Sequence, residues 1–259
     1  MDGIGAWGAF LRGLAEFFYP PRANCLGCAD MTGQEDGWLC DQCEDELVPL
    51  SRFSMERCQL CGRPLSKGTA CTLCAEWPEG VIAFARYAHF YVKPVRGLIH
   101  HLKYRGVYRL RDWMGMQLAN TFIAECFELP DVIIAVPMNQ KRLLERGFNH
   151  SDVLAQALGK QLDVPVLNGA IERVRYTKQQ AQLSKLKRMK NVQGAFWAND
   201  RVNEKSILLV DDVLTTGNTA IACALALKQA GAKRVDLITV AGPSTEKEKK
   251  RTKIRKNVS

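Results

Sequence analysis

The string ILLVDDVLTTGNTA, residues 207–220, ends an apolar run on two adjacent carboxylates, Asp211 and Asp212. A hydroxyl-rich turn of Thr215, Thr216, Gly217, Asn218 and Thr219 follows, and then an almost wholly apolar segment. This order reads as a buried strand, a turn and the start of a helix. Backbone N–H groups in such a turn, with the positive end of the helix dipole behind them, form a cradle for a phosphate. Gly217 lets the backbone approach closely, and the threonine hydroxyls add donors. The two acids cannot hold a phosphate, because like charges repel. They can accept hydrogen bonds from hydroxyls, as on a sugar, or assist a Mg²⁺ ion through its waters. A sugar carrying a phosphate accounts for both halves. The chain contains neither GxxxxGK[ST] nor a GxGxxG after a strand, so the common nucleotide-binding motifs do not explain the string.

A second chemistry lies near the N-terminus. Eight of the ten cysteines fall in four CxxC pairs: Cys25 and Cys28, Cys40 and Cys43, Cys58 and Cys61, Cys71 and Cys74. One CxxC beside a βαβ pattern suits a redox motif; four within fifty residues do not. Zinc uses all eight, since each pair offers two thiolates at the right bite and two pairs complete a tetrahedron. Two structural Zn²⁺ ions are therefore expected. They are held either by successive pairs, as two zinc ribbons, or in a cross-braced pattern; spacing allows both. With four sulfurs on each ion no position stays open for catalysis, so the module serves packing or recognition. It has too few apolar residues for a core of its own, which couples metal binding to folding. Cys126 and Cys223, in apolar helical context, are expected to be buried.

The formal charge of +9 is unevenly spread. More than half of it sits in the basic tail at 243–259, expected to be a solvated end that adds non-specific attraction to nucleic acid or anionic lipid. Two internal stretches carry basic residues and no acid: Lys93, Arg96, Lys103, Arg105, Arg109 and Arg111, then Arg173, Arg175, Lys178, Lys185, Lys187, Arg188 and Lys190. A solvated helix face normally mixes in acids, so these runs point to an anionic ligand. Residues 1–22 read as an amphipathic helix, stopped by Pro20 and Pro21, that packs on the protein body or touches a membrane surface. They lack the basic start of a signal peptide and the length of a membrane span. A cytoplasmic chain with no transmembrane segment is the expectation.

After the cysteines, the pattern alternates between strand and helix. Residues 84–92 alternate like a half-buried strand. Two basic helices follow, separated by Gly106. Residues 131–137 form a continuous apolar strand, 151–162 a helix with Ser151 and Asp152 at its start, and 207–212 and 234–241 two more buried strands flanking a helix over 219–230 that Gly231 closes. Such repetition implies an α/β domain with a mostly parallel sheet, whose ligands bind beyond the carboxyl ends of the strands. The expected division is 1–22 helix, 23–79 zinc module, 80–242 α/β domain and 243–259 tail.

The 207–220 string closely resembles the phosphoribosyl-pyrophosphate (PRPP) loop of type I phosphoribosyltransferases, with Asn218 where Ser or Thr is usual. VPMNQKRLLERGFNHSDVLAQAL (136–158), RVRYTKQQAQLSKLKRMKNVQGAF (173–196) and LIHHLKYRG (98–106) resemble segments of the ComF/GntX family of phosphoribosyltransferase-like proteins. The cysteine module ahead of the transferase domain is that family's arrangement too. His150 replaces the family's Gln, a position not expected to be catalytic. The resemblance implies a type I phosphoribosyltransferase-like parallel sheet with a small N-terminal double zinc-ribbon module. It implies Mg²⁺-bound PRPP as ligand, with Asp211 and Asp212 on the ribose hydroxyls as the catalytic pair and residues 215–219 on the 5′-phosphate. Arg142 and Arg146 would take the diphosphate in a loop after the 131–137 strand, with Lys103 approaching from the preceding segment, and the 173–190 stretch would close over the ligand. The implied function is DNA uptake in natural competence, with phosphoribosyl transfer to an acceptor that the sequence does not name. The alternative is a non-catalytic, PRPP-responsive factor that binds single-stranded DNA through the zinc module and basic surface. Trp38, Phe53 and Trp77 would then be available for base stacking. A DNA-uptake helicase or another competence protein would be the partner.

Overall fold

The computed structural model describes residues 25–29, 38–50, 55–105, 108–174 and 194–244. The expected N-terminal helix, Phe53, the basic stretch beyond Val174 and the tail beyond Ser244 lie outside the described residues. Four strands form a parallel sheet: β1 (Phe84–Phe90), β2 (Val132–Ala135), β5 (Ser206–Val213) and β6 (Arg234–Gly242), in the order β1-β6-β5-β2. Two short strands, β3 (Ile171–Arg173) and β4 (Phe196–Ala198), pair antiparallel beside it. The helices are α1 (Asp41–Asp45), α2 (Val95–Arg105), α3 (Tyr108–Ala124), α4 (Gln140–Arg146), α5 (His150–Leu162) and α6 (Asn218–Gln229).

The apolar strands are buried on both faces, and the period of two divides their side chains. Ile207 and Leu209 join Ile134, Val235 and Leu237 in a core under α6, whereas Leu208 and Val210 join Ile133, Ile238 and Val240 under α2, α3 and α5. An α/β sandwich with helices on both faces follows, as a parallel sheet requires.

The cysteine module straddles the sheet. Cys25, Leu39 and Cys43 pack into the α2/α3 side, while Leu50, Met55, Leu73 and Trp77 pack on the α6 side. The first knuckle touches α2 backbone to backbone: a Cβ on Gly97 would come within 2.3 Å of the Gly27 carbonyl oxygen, so only glycine fits. Lys93 Nζ donates to the Cys28 carbonyl at 3.3 Å. The second ribbon is held by a buried ion network. Arg86 on β1 donates from Nε to Glu125 at 2.9 Å and from a terminal nitrogen to the Gln59 and Leu60 carbonyls. Glu125 also takes Arg57 of the ribbon at 2.5 Å. Burial lowers the Arg86 pKa, and Glu125 works against that shift.

Several expectations change here. The strand at 84–92 stops at Phe90 and is buried almost throughout instead of half-buried. The reason is that its polar residues also find cover: Arg86 lies under the second ribbon and His89 stacks on Trp113, 5.6 Å between ring centres. Cys223 is fully buried, but Cys126 is exposed at the turn that ends α3, where its φ is +53°. Helix α5 is capped by Asn149, whose side chain accepts from the Ser151 N–H, instead of by Ser151 and Asp152. Gly231, at φ +91°, stands one residue past the Ala230 cap of α6. No helix among the described residues is long and apolar enough to cross a membrane.

Candidate functional site

Strand β5 runs through both acids to Val213, so Asp211 and Asp212 lie inside its last three residues. The successive side chains point to opposite faces, and each finds different partners. Asp211 accepts from the Ser151 hydroxyl at 2.9 Å and from the Asp212 N–H at 2.9 Å. Asp212 is buried, ion-paired with Lys103 of α2, and its Oδ1 lies 3.3 Å from His150 Nε2. Ser151 and His150 form the first turn of α5, whose positive dipole end therefore faces the acids. Arg146 stands behind, donating to the Tyr104 hydroxyl at 2.8 Å, stacking on its ring and approaching His150 Nδ1 at 3.5 Å.

These surroundings split the two carboxyls. Burial and the neighbouring charge of Asp212 raise Asp211 to about 7, against hydrogen bonds from Asp212 and Ser151. Burial also works against ionised Asp212, but His150 and Lys103 outweigh it and hold that carboxyl below its ordinary range. A folded chain thus keeps the Asp211 proton to about pH 7, whereas the unfolded chain releases it near 3.8. Asp211 costs nothing below the lower value, and its cost grows as pH rises and levels off above the higher one. Asp211→Asn should therefore raise thermal stability, and by about 1 kcal/mol more at pH 8 than at pH 6. Melting curves of both proteins at the two pH values check this; an equal gain at both would contradict it.

After β5 the chain turns through 215–217 into α6. Gly217 caps the helix at φ +81°, a conformation that L side chains rarely adopt, and no side chain caps that end. Thr215, Thr216 and Thr219 are exposed, and Asn218 is half-buried. A helix end with no side-chain cap and exposed hydroxyls fits an anion. Trp77, from the end of the cysteine module, lies against the turn and donates its indole N–H to the Thr216 carbonyl at 3.4 Å.

The cysteines form two clusters, Cys25–Cys28–Cys40–Cys43 and Cys58–Cys61–Cys71–Cys74, each with its sulfurs within 4.8 Å of one another. Pairing is therefore sequential and not cross-braced. Zn–S bonds of about 2.3 Å give a tetrahedral S···S edge of about 3.8 Å. Cys28 and Cys40 stand at 3.8 Å, Cys58 and Cys74 at 3.4 Å, Cys61 and Cys71 at 3.5 Å. None of the eight is in a disulfide. The N–H groups of Gly27 and Cys40 donate to Cys25 Sγ, both at 3.3 Å. Burial pushes the Cys25 thiol up, but such donors outweigh it and bring it to about 7. Both clusters fit a structural Zn²⁺, and neither leaves a position for a substrate.

Among the expected site residues, Asp211, Asp212, Lys103 and Arg146 are joined through His150, Ser151 and Tyr104. The segment bearing Arg142 and Arg146 is helix α4 and not a loop, and it ends in the left-handed Gly147. Arg142 is exposed on that helix. Sequence reasoning gave no role to His150, Ser151, Tyr104 or the Trp77 contact. Ser151 was expected at a helix start, and Asn149 was the cap signal that would have added His150 to it. The sequence offered Trp77 for base stacking, and nothing in it placed that ring against the 215–217 turn. Trp38 packs edge-on against Trp113, 5.5 Å between centres, so both described aromatic residues of the module are engaged within the chain.

Comparison with known proteins agrees in both halves. Residues 14–75 match a family profile described as "Double zinc ribbon domain", and residues 116–259 one described as "Phosphoribosyl transferase domain". The chain is similar to "Competence protein F" of Haemophilus influenzae, 29% identical over 83% of this chain and 94% of the relative. It is also similar to "DNA utilization protein YhgH" of Escherichia coli K12, 32% identical over 72% and 84%, and to "Competence protein ComFC" of Bacillus subtilis, 24% identical over 80% and 89%.

Proposed function

The chain belongs to the ComF-type phosphoribosyltransferase family with an N-terminal double zinc ribbon, and from that premise we propose that it binds PRPP and acts in DNA uptake or utilisation. One observation carries the ligand: two carboxylates end a parallel strand immediately before an open, hydroxyl-bearing helix start. In this reading Asp211 and Asp212 accept the ribose hydroxyls, and residues 215–219 donate to the 5′-phosphate. Asp212 is already neutralised by Lys103 and lies 3.3 Å from His150 Nε2. A bare cation bound there would have to compete with an ammonium group, so the pair suits hydroxyl donors better. Magnesium would arrive on the diphosphate and neutralise its charge. Arg142 and Arg146 are the basic groups on α4 for that end, and Arg is suited to bidentate phosphate contacts.

If a nucleophile attacks C1 of the ribose, the bond from C1 to the pyrophosphate oxygen breaks and pyrophosphate leaves with the electron pair. The geometry accounts for the sugar and its phosphate and names no acceptor. The names of the relatives speak of competence and DNA utilization, and a second reading takes the chain as a PRPP-responsive factor that handles single-stranded DNA without transferring the sugar. Calorimetric titration of the zinc-loaded chain with Mg²⁺ and PRPP tests the shared core, and saturable binding is expected. Absence of heat for the folded protein would remove it. Pyrophosphate release with a panel of nucleobases and amines then favours transfer. Oligonucleotide affinity that falls steeply with salt, without such release, favours the DNA-handling reading.

A further inference from the structure

Resting on that PRPP reading, we propose that Trp77 is a positioning residue for the 5′-phosphate turn, and that the second cysteine cluster serves the site through it. The indole N–H donates to the Thr216 carbonyl, and the ring is packed on Gly217: a Cβ there would lie 2.5 Å from Cζ2, 2.8 Å from Cε2 and 3.0 Å from Nε1. Gly217 is therefore required twice, for its positive φ and for the indole.

The consequence for an anion follows from peptide geometry. The Thr216–Gly217 peptide is trans, so its C=O and N–H point to opposite sides. With the Thr216 carbonyl held toward the indole, the Gly217 N–H is turned away from it, to the other side of the turn. A flipped peptide would present a carbonyl oxygen where a phosphate needs a donor. Fixing one such peptide before the ligand arrives removes an ordering cost from binding.

Trp77 in turn is placed by the cysteines. Its backbone N–H donates to the carbonyl of Cys74 at 3.0 Å, and Cys74 belongs to the second cluster. The opposite knuckle of that cluster is held by Arg86 on β1 through the Gln59 and Leu60 carbonyls. The ribbon is thus fixed to the sheet on one side and holds the phosphate turn on the other. The double ribbon is a part of the ligand site as well as a neighbouring module.

The test uses full-length, zinc-loaded protein as wild type, Trp77→Phe and Trp77→Ala, with ribose 5-phosphate and inorganic pyrophosphate as separate probes. Trp77→Ala should weaken ribose 5-phosphate about tenfold, the effect of one misplaced charge-assisted donor, with pyrophosphate affinity and zinc content unchanged. Trp77→Phe, which keeps the packing and loses the donor, should fall between. In the ligand-free Trp77→Ala protein, amide exchange over residues 215–219 should accelerate. Unchanged ribose 5-phosphate binding, or an equal loss for both probes, overturns the proposal and leaves the PRPP reading standing. A wild type that binds neither PRPP nor ribose 5-phosphate overturns both.

Discussion

Replacing Asp211 and Asp212 together by alanine should abolish saturable PRPP binding, with a loss of at least about a hundredfold. The magnitude comes from two buried or half-buried carboxylates, each accepting a hydroxyl in a charge-assisted bond worth about 1.5–3 kcal/mol. The sign is more diagnostic than the size. If the acids did not hold the sugar, deleting the charge of Asp212, and that of Asp211 above about pH 7, beside a phosphate turn would tighten phosphate binding, because like charges repel. Free pyrophosphate, which has no ribose, should accordingly bind the double variant no worse than wild type. Asp212 also neutralises Lys103, so its removal leaves a partly buried ammonium without its carboxylate. Asp211→Asn/Asp212→Asn keeps the shape and lessens that disturbance, and it should lose PRPP to a similar extent. Calorimetry of the three proteins, each with an intact melting transition, decides the matter. PRPP affinity unchanged or improved in both variants would falsify the assignment.

The second large effect is expected at the metal. Elemental analysis should find two zinc ions per chain, and Cys58→Ser/Cys61→Ser should retain one. Structural zinc contributes on the order of 10 kcal/mol of coupled binding and folding free energy, as much as the whole stability of many domains. Losing the second ion should therefore unfold its ribbon. It should also strip the buried Arg86 and Glu125 of their partners there, the Gln59 and Leu60 carbonyls and Arg57. A lowered melting temperature and loss of ribose 5-phosphate binding should accompany the missing ion. Wild-type protein with one ion or none, or a melting curve indifferent to chelation, would overturn the two-site reading.

The strands and helices of the α/β domain were largely legible because their apolar residues follow plain periodicities. The continuous run at 132–135 and the string at 207–210 read as doubly buried strands in a parallel sheet, and they are. Strand β1 was misjudged as half-buried because Arg86 and His89 look solvent-facing in sequence; their cover comes from the second ribbon and from Trp113, far along the chain. Cys126 was misjudged for the opposite reason: its neighbours are apolar, but α3 ends at Ala124 and the left-handed turn leaves its thiol outside.

By itself, the sequence pointed to the ligand chemistry proposed for each half. Four CxxC pairs require metal, and two acids before a Thr-Thr-Gly turn suit a phosphorylated sugar, because these depend on residue types a few positions apart. It could not decide which knuckles share an ion, since spacing allows both pairings; the fold brings successive pairs together. Nor could it show that burial and the charge of Asp212 raise Asp211 while His150 and Lys103 hold Asp212 low, or that Trp77 touches Thr216 from 139 residues away. Those are contacts between distant segments, fixed by packing against a common sheet, and only the tertiary structure decides them.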